Sequence, residues 1–193
     1  MNRRAISLVL AIVILVSVVF AVPISADIGE GENIALQAVA TAERENTPAS
    51  NVNNGALATS SAATSWNTWG GTQEYPTPIT LTWDAPMEIS GMRVMWWADN
   101  PELAANGNVT FPKSALLYYF KDGDWVQITQ MTNEDNEPAD SVGVRYEGGG
   151  GGVNGANTYW NGVEFEPVVT TALRMLVDRH GTESNGIGTR EWE

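Results

Sequence analysis

The chain has 193 residues, no cysteine, one histidine and a formal net charge of −13 at pH 7. The absence of cysteine excludes disulfides, thiol chemistry and a zinc site built from Cys and His. The acidity repels phosphate backbones, which makes nucleic acid a poor partner, and it promotes solubility. At the N-terminus, Arg3 and Arg4 precede an almost unbroken apolar run from Ala5 to Val22, and "PISAD" then offers small residues for cleavage after Ala26. This is the pattern of a secretory signal peptide over 1–26. The alternative is an uncleaved membrane anchor, since the run nearly reaches the roughly 20 residues that span a bilayer. A membrane enters only in that case. Cleavage leaves 27–193 as one secreted domain, with eight Lys and Arg against 23 acids, a balance of −15.

Helix signals are nearly absent along the rest of the chain. Short β-branched and aromatic runs alternate with Gly, Asn and Pro clusters, the pattern of an all-β sandwich. Asn33–Ala42 reads as a first strand. In Ile79–Pro86, Ile79, Leu81 and Trp83 face one way and Thr80, Thr82 and Asp84 the other. Glu88–Asp99 follows after a short turn. Ser114–Thr129 reads as a hairpin, with Asp122-Gly123 supplying the positive φ of a tight turn. Ser141–Glu147, Tyr159–Pro167, Thr171–Arg179 and Gly186–Glu193 complete about eight strands in two stacked sheets. Asn133–Asp140 reads as an acidic loop. The glycine run Gly148–Gly152 reads as an excursion between strands, because it lacks the helix and Lys of a nucleotide cradle.

Aromatic side chains beside planar polar groups are what a saccharide needs, the ring for its apolar face and the polar groups for its hydroxyls. Trp69 stands beside Gly70-Gly71, where the backbone leaves room for a ligand. Trp96 and Trp97 are adjacent on one strand and face opposite sides, so one is core and the other is exposed or lies under a loop. Trp97 with Asp99 and Asn100 therefore forms one candidate group. Tyr159 and Trp160, flanked by Asn157 and Asn161, form a second. Arg179 and His180, at a strand end, form a third. Trp83, Trp125 and Trp192 alternate with polar residues inside strands and read as core.

The order "NIALQAVATA…TPASNVNNG…SW", "FPKSALLYYFKDGDWVQI", "VEFEPVVTTALRMLV" and "GIGTREWE" resembles the galactose-binding-like jelly roll. This is the discoidin, or coagulation factor 5/8 type C, domain, which includes carbohydrate-binding module family 32. The resemblance is nearest to accessory modules of bacterial glycoside hydrolases of the β-L-arabinofuranosidase type, and it spans Asn33 to Glu193. Two departures stand out: Asn54-Gly55 replaces the usual Asp-Gly, and "PELAANGN" is inserted after "WWADN". The resemblance implies a two-sheet jelly-roll sandwich with sugar-binding loops at one end and a buried Trp66. It also implies one calcium, held by Asn51, Asn54, Thr59, Arg190 through its carbonyl, and Glu191. Calcium prefers carboxylates, and only Glu191 supplies a full charge. The alternative is that Asn54-Gly55 is simply a turn and Asn51 caps backbone groups.

Glycoside hydrolysis needs two carboxylates flanking the bond. Glu164/Glu166 and Glu191/Glu193 are strand pairs that read as solvated, with no distinctive setting. The sequence therefore reads as a non-catalytic module that binds a glycan and tethers a partner enzyme, such as a glycoside hydrolase domain of a longer chain, or a surface. A discoidin-type adhesion module and a small glycoside hydrolase are the rival readings.

Overall fold

The computed structural model describes residues 31–56, 64–70, 74–98, 108–145, 159–180 and 185–193. The expected signal peptide, Thr59, Asp99, Asn100 and the glycine run lie outside them. The strands are β1 (Val39–Ala42), β2 (Trp66–Asn67), β3 (Thr77–Trp97), β4 (Val109–Thr110), β5 (Ser114–Lys121), β6 (Asp124–Gln127), β7 (Met131–Asn133), β8 (Pro138–Ala139), β9 (Asn161–Asp178) and β10 (Gly186–Trp192).

The strands expected at Ile79–Pro86 and Glu88–Asp99 are one strand, β3, and those at Tyr159–Pro167 and Thr171–Arg179 are one strand, β9. These two remain paired while passing from one layer into the other. In the first layer Thr77–Thr82 pairs with Val177–Ala172, and in the second Gly91–Val94 pairs with Glu164–Asn161. The register shifts between Thr82 and Met87 and again between Ile89 and Gly91. Asp84, Ala85, Pro86, Glu166 and Pro167 are exposed at this corner. Proline cannot donate to a ladder, and at an unpaired corner that donor is not needed. The first layer runs β1-β3-β9-β5-β6 and the second β2-β10-β3-β9-β7-β8.

Ile79, Leu81 and Trp83 point inward as the alternation requires. With Leu117, Met175 and Val177 they pack against Met92, Val94, Trp96, Val163 and Trp192. Trp66, Trp96 and Trp192 are fully buried. Buried indoles still need an acceptor. Trp66 donates to the Arg44 carbonyl at 3.0 Å, Trp83 to Ile34 at 2.9 Å and Trp96 to Gly143 at 2.9 Å. Each bond ties a loop segment to the core.

The Asp122-Gly123 hairpin forms as expected, with φ of 52° and 93°. Other elements differ from the sequence reading. Ile34–Gln37 is a 3-10 turn capped by Asn33, so the first strand begins at Val39. Val142 makes only an isolated bridge to Ala115 where a strand was expected. The acidic stretch closes a short β7–β8 hairpin, in which the Asn133 side chain accepts from the Asp135 and Glu137 amides. Trp125 is half-buried rather than core: it lies on the outer face of the first layer, 5.3 Å from Phe120 and beneath the Arg174 guanidinium.

On the second layer β10 crosses Trp97 at a glycine. A Cβ on Gly188 would stand 2.6 Å from the Trp97 ring and 2.8 Å from its carbonyl oxygen. Gly188→Ala is therefore expected to cost about 2 kcal/mol, because backbone as well as side chain must shift. Urea unfolding measures it; an unchanged midpoint would contradict the packing.

Candidate functional site

Both ends of β3 emerge at the same rim of the sandwich. There the β2–β3 connection meets the end of β9, the start of β10 and the segment before β5. Thr68 anchors the connection to β10: its amide donates to the Ile187 carbonyl at 3.0 Å, and its hydroxyl accepts from the Ile187 amide at 3.0 Å. Gly186 lets the chain come this close, since a Cβ there would lie 2.9 Å from the Trp69 nitrogen. The Trp69 amide donates to the Asn67 side chain, and the following Gly70, at φ 83°, accepts from Arg44 at 2.6 Å. The backbone on either side of Trp69 is thus fixed, while its indole is 49% exposed. A large aromatic ring held in place yet open to water is the preorganised element of this rim.

The floor beside it is polar. Tyr75 and Thr68 share a hydroxyl–hydroxyl bond of 2.7 Å, and burial pushes the Tyr75 hydroxyl pKa up. Arg179 lies 4.3 Å over the Tyr75 ring and donates to the Asn185 carbonyl at 3.3 Å. The Asn185 amide donates to the His180 carbonyl, and the His180 ring meets Phe111 edge-on at 5.8 Å. Of the residues expected from sequence, Trp69, Arg179 and His180 therefore come together. Tyr75, Phe111, Arg44 and Asn185 join them and were missed, because they come from four separate segments and carry no local pattern.

The structure separates the other expected residues from this group. Trp97 is only 2% exposed and is covered by Gly188 and Val109, so it is a packing residue and not a platform. Tyr159 lies beneath Arg145 at 4.3 Å and donates to Glu134 at 2.6 Å, while Arg145 donates to its hydroxyl. Burial and the Glu134 carboxylate push its pKa up to about 12. The Trp160 ring lies beneath Arg93, 4.6 Å away, and Arg93 is paired with Glu193. Each of these rings thus carries a guanidinium over one face. Together they brace the entry of β9, where Asn161 is buried and holds both the amide and the carbonyl of Arg145.

Of the expected metal ligands, Glu191, which the sequence pattern placed in water, is fully buried. One carboxylate oxygen accepts from the Gly55 amide at 2.9 Å; the other, Oε2, has no hydrogen-bond partner among the described residues, and neither has the buried Thr189 hydroxyl. Desolvation, assisted by Glu193 and opposed by the Gly55 amide, raises the Glu191 pKa to about 7. Asn54 is exposed and its side-chain oxygen accepts from Ala56, while the Asn51 amide group donates to the Ser65 carbonyl. Arg190 is buried as the extra residue of a bulge between Thr189 and Glu191. Among the described residues no three His, Cys, Asp or Glu cluster. A buried carboxylate oxygen that lacks a donor is compatible with a hard cation, which takes oxygen ligands.

A groove of about 790 Å³ along β7, β8 and β9 is lined by Asp140, Glu164 and Glu166, and its one ring, Phe165, is 8% exposed. It offers no aromatic platform.

No family model and no curated protein matches the chain. Solved structures do. A chain from the Streptococcus pneumoniae β-galactosidase BgaA superposes with a TM-score of 0.55 at 16% identity, over 80% of this chain and 89% of that one. Chitosan-binding module 1 of a chitosanase/glucanase from Paenibacillus sp. IK-5 gives 0.53 at 18%, over 84% and 98%. The family 32 carbohydrate-binding module of C. perfringens NanJ, solved with galactose, gives 0.52 at 15%, over 82% and 93%. The chain has the galactose-binding-like jelly-roll fold that these modules share.

Proposed function

We propose that this chain is a secreted, non-catalytic glycan-binding module that tethers a partner enzyme, such as a glycoside hydrolase domain, to its polysaccharide. The observation that carries this reading is Trp69, an exposed indole on a backbone fixed from both sides, with guanidinium, amide and hydroxyl groups beside it. The shared fold with modules solved as galactose and chitosan binders supports it. A shallow rim buries little of its ligand, so dissociation constants of about 1 mM to 10 μM are expected, on the order of −4 to −7 kcal/mol.

Calorimetry against arabinosides, galactosides, xylans and uronate-containing glycans tests the reading. Trp69→Ala should weaken binding by about tenfold or more, since a ring–ligand face contact is lost, with thermal stability close to wild type. Trp97→Ala should do the reverse, costing about 3 to 5 kcal/mol of stability through the cavity it leaves. Silence across the whole panel from folded protein would overturn the reading.

The same reading places one calcium at Glu191, with Asn51, Asn54, Thr59 and the Arg190 carbonyl as further oxygens. What supports it is the unpartnered Glu191 Oε2. The ion would supply the positive charge that this carboxylate lacks and would fix the loop at Gly55. In chelator, the folded chain prefers Glu191 protonated, with its pKa raised from 4.5 to about 7. The contribution of this group to stability is therefore full below pH 4.5 and lost as pH rises through about 7. Calcium binds the ionised form, so its stabilisation should appear across that same rise. Glu191→Gln should abolish both the pH step and the calcium-induced shift in Tm. A Tm that is indifferent to calcium at pH 8 would refute the site.

A further inference from the structure

We propose a second glycan site, apart from the rim: the outer face of the first layer takes an extended, β-linked polysaccharide chain that crosses its five strands.

Strand register puts one polar side chain from each strand into a single row. Thr41 on β1 pairs with Thr80 on β3, Thr80 with Arg174 on β9, Arg174 with Tyr118 on β5, and Tyr118 with Gln127 on β6. Ile79 and Leu81 face the core, so this row faces outward. Strands stand about 4.8 Å apart, so a row of five spans four gaps, about 19 Å. One step per strand is close to the length of one sugar in an extended chain. Apolar rows flank it: Phe120 pairs with Trp125 on one side, and Pro78, Leu176 and Leu116 align on the other. A sugar ring is divided in the same way, with hydroxyls around its edge and C–H groups on its faces.

The polar groups of this row are available to a ligand. Arg174 is stacked 3.9 Å over the Trp125 ring, and its Nε donates to the Thr80 hydroxyl at 3.2 Å. Its terminal amino groups, the Tyr118 hydroxyl and the Gln127 amide have no partner among the described residues. Arg174 belongs to neither ion pair among those residues, and burial lowers its pKa, with Glu43 opposing. The guanidinium is thus fixed, partly stripped of water and still supplied with free donors, which reduces what it loses on binding. The described ends of the undescribed stretches after Gly31 lie at the rim or on the second layer, away from these rows.

The same face is a poor seat for a protein. The middle of a protein interface is built from exposed apolar and aromatic side chains. Here Tyr118, Phe120, Trp125 and both leucines are half-buried, and the one large apolar side chain exposed on this face is Val39, at the β1 edge. Arg174 is the one charge in the three rows, so a neutral polymer meets no repulsion from them. What the sheet presents to water is hydroxyl, amide and guanidinium, the donors and acceptors that sugar hydroxyls use. Contact here adds to a rim whose own contact is weak, and two contacts with one polymer reinforce each other.

The test follows the Trp69 and Trp125 indole N–H signals of the ¹⁵N-labelled chain as cellohexaose, xylohexaose, chitohexaose or β-1,4-galactohexaose is titrated in, each beside its disaccharide. The expected result is a saturable Trp125 shift with at least one hexaose, about tenfold tighter than with its disaccharide and retained in Trp69→Ala. Tyr118→Phe combined with Gln127→Ala should weaken that Trp125 titration about tenfold, with Tm and the Trp69 titration unchanged. A Trp69 shift with Trp125 unmoved across the panel overturns the face site and leaves the rim reading standing. A Trp125 shift that the double variant leaves intact also overturns it. So does one that grows with protein concentration in the absence of sugar, which would put a second copy on the face. Trp125 moving while Trp69 stays still supports the face and removes the rim. Silence of both signals across the panel removes both.

Discussion

The structure depends on one backbone constraint: β3 and β9 stay hydrogen-bonded to each other as they pass from the first layer into the second. A pair of strands that turns a corner together must stagger its register there, and it does so around Pro86 and Pro167. The consequence is geometric. Because β3 starts in one layer and ends in the other, its two ends return to the same rim. The chain segments leaving them are therefore neighbours. Trp69 and Tyr75 on one side, and Arg179 and Asn185 on the other, meet for that reason and not because of proximity in sequence.

The core then holds that rim still. Three buried indoles each donate to a carbonyl in a loop or turn segment. Each bond satisfies a donor that would otherwise cost free energy in the interior. Each also fixes a segment that has no ladder partner of its own. Trp66 secures Arg44 in this way, and Arg44 in turn donates to Gly70 beside Trp69, so core packing reaches the rim. Gly186 and Gly188 work to the same end from β10, admitting the Trp69 backbone and the Trp97 ring at distances no side chain would allow.

Much of the fold was legible in the sequence because its signals are local. Alternation in Ile79, Leu81 and Trp83 marks an inward face, and Asp122-Gly123 marks a tight turn. The continuity of β3 and β9 across the corner was not legible, since prolines read as strand ends. Trp97 was misread for a related reason. Alternation shows only that Trp96 and Trp97 face opposite sides, and here both sides are covered, one by the core and the other by β4. Glu191 shows the same limit from the polar side: "TREWE" alternates like a solvated strand, yet a bulge at Arg190 and the close Gly55 amide enclose the carboxylate. Trp69, Arg179 and His180 were legible as an exposed aromatic near glycines and a polar strand end. Their partners Arg44 and Tyr75 were not, because only tertiary structure brings them there.

The central claim is that one indole, fixed from both sides and open to water, is where a saccharide lands. Indole N–H resonances in a ¹⁵N-labelled sample, followed while an oligosaccharide is titrated in, test it most directly. The account predicts that the Trp69 signal shifts with ligand and saturates, while those of the buried Trp66, Trp83, Trp96 and Trp192 stay in place. Movement of Trp160 or Trp125 with Trp69 unmoved would put the ligand elsewhere and contradict the account.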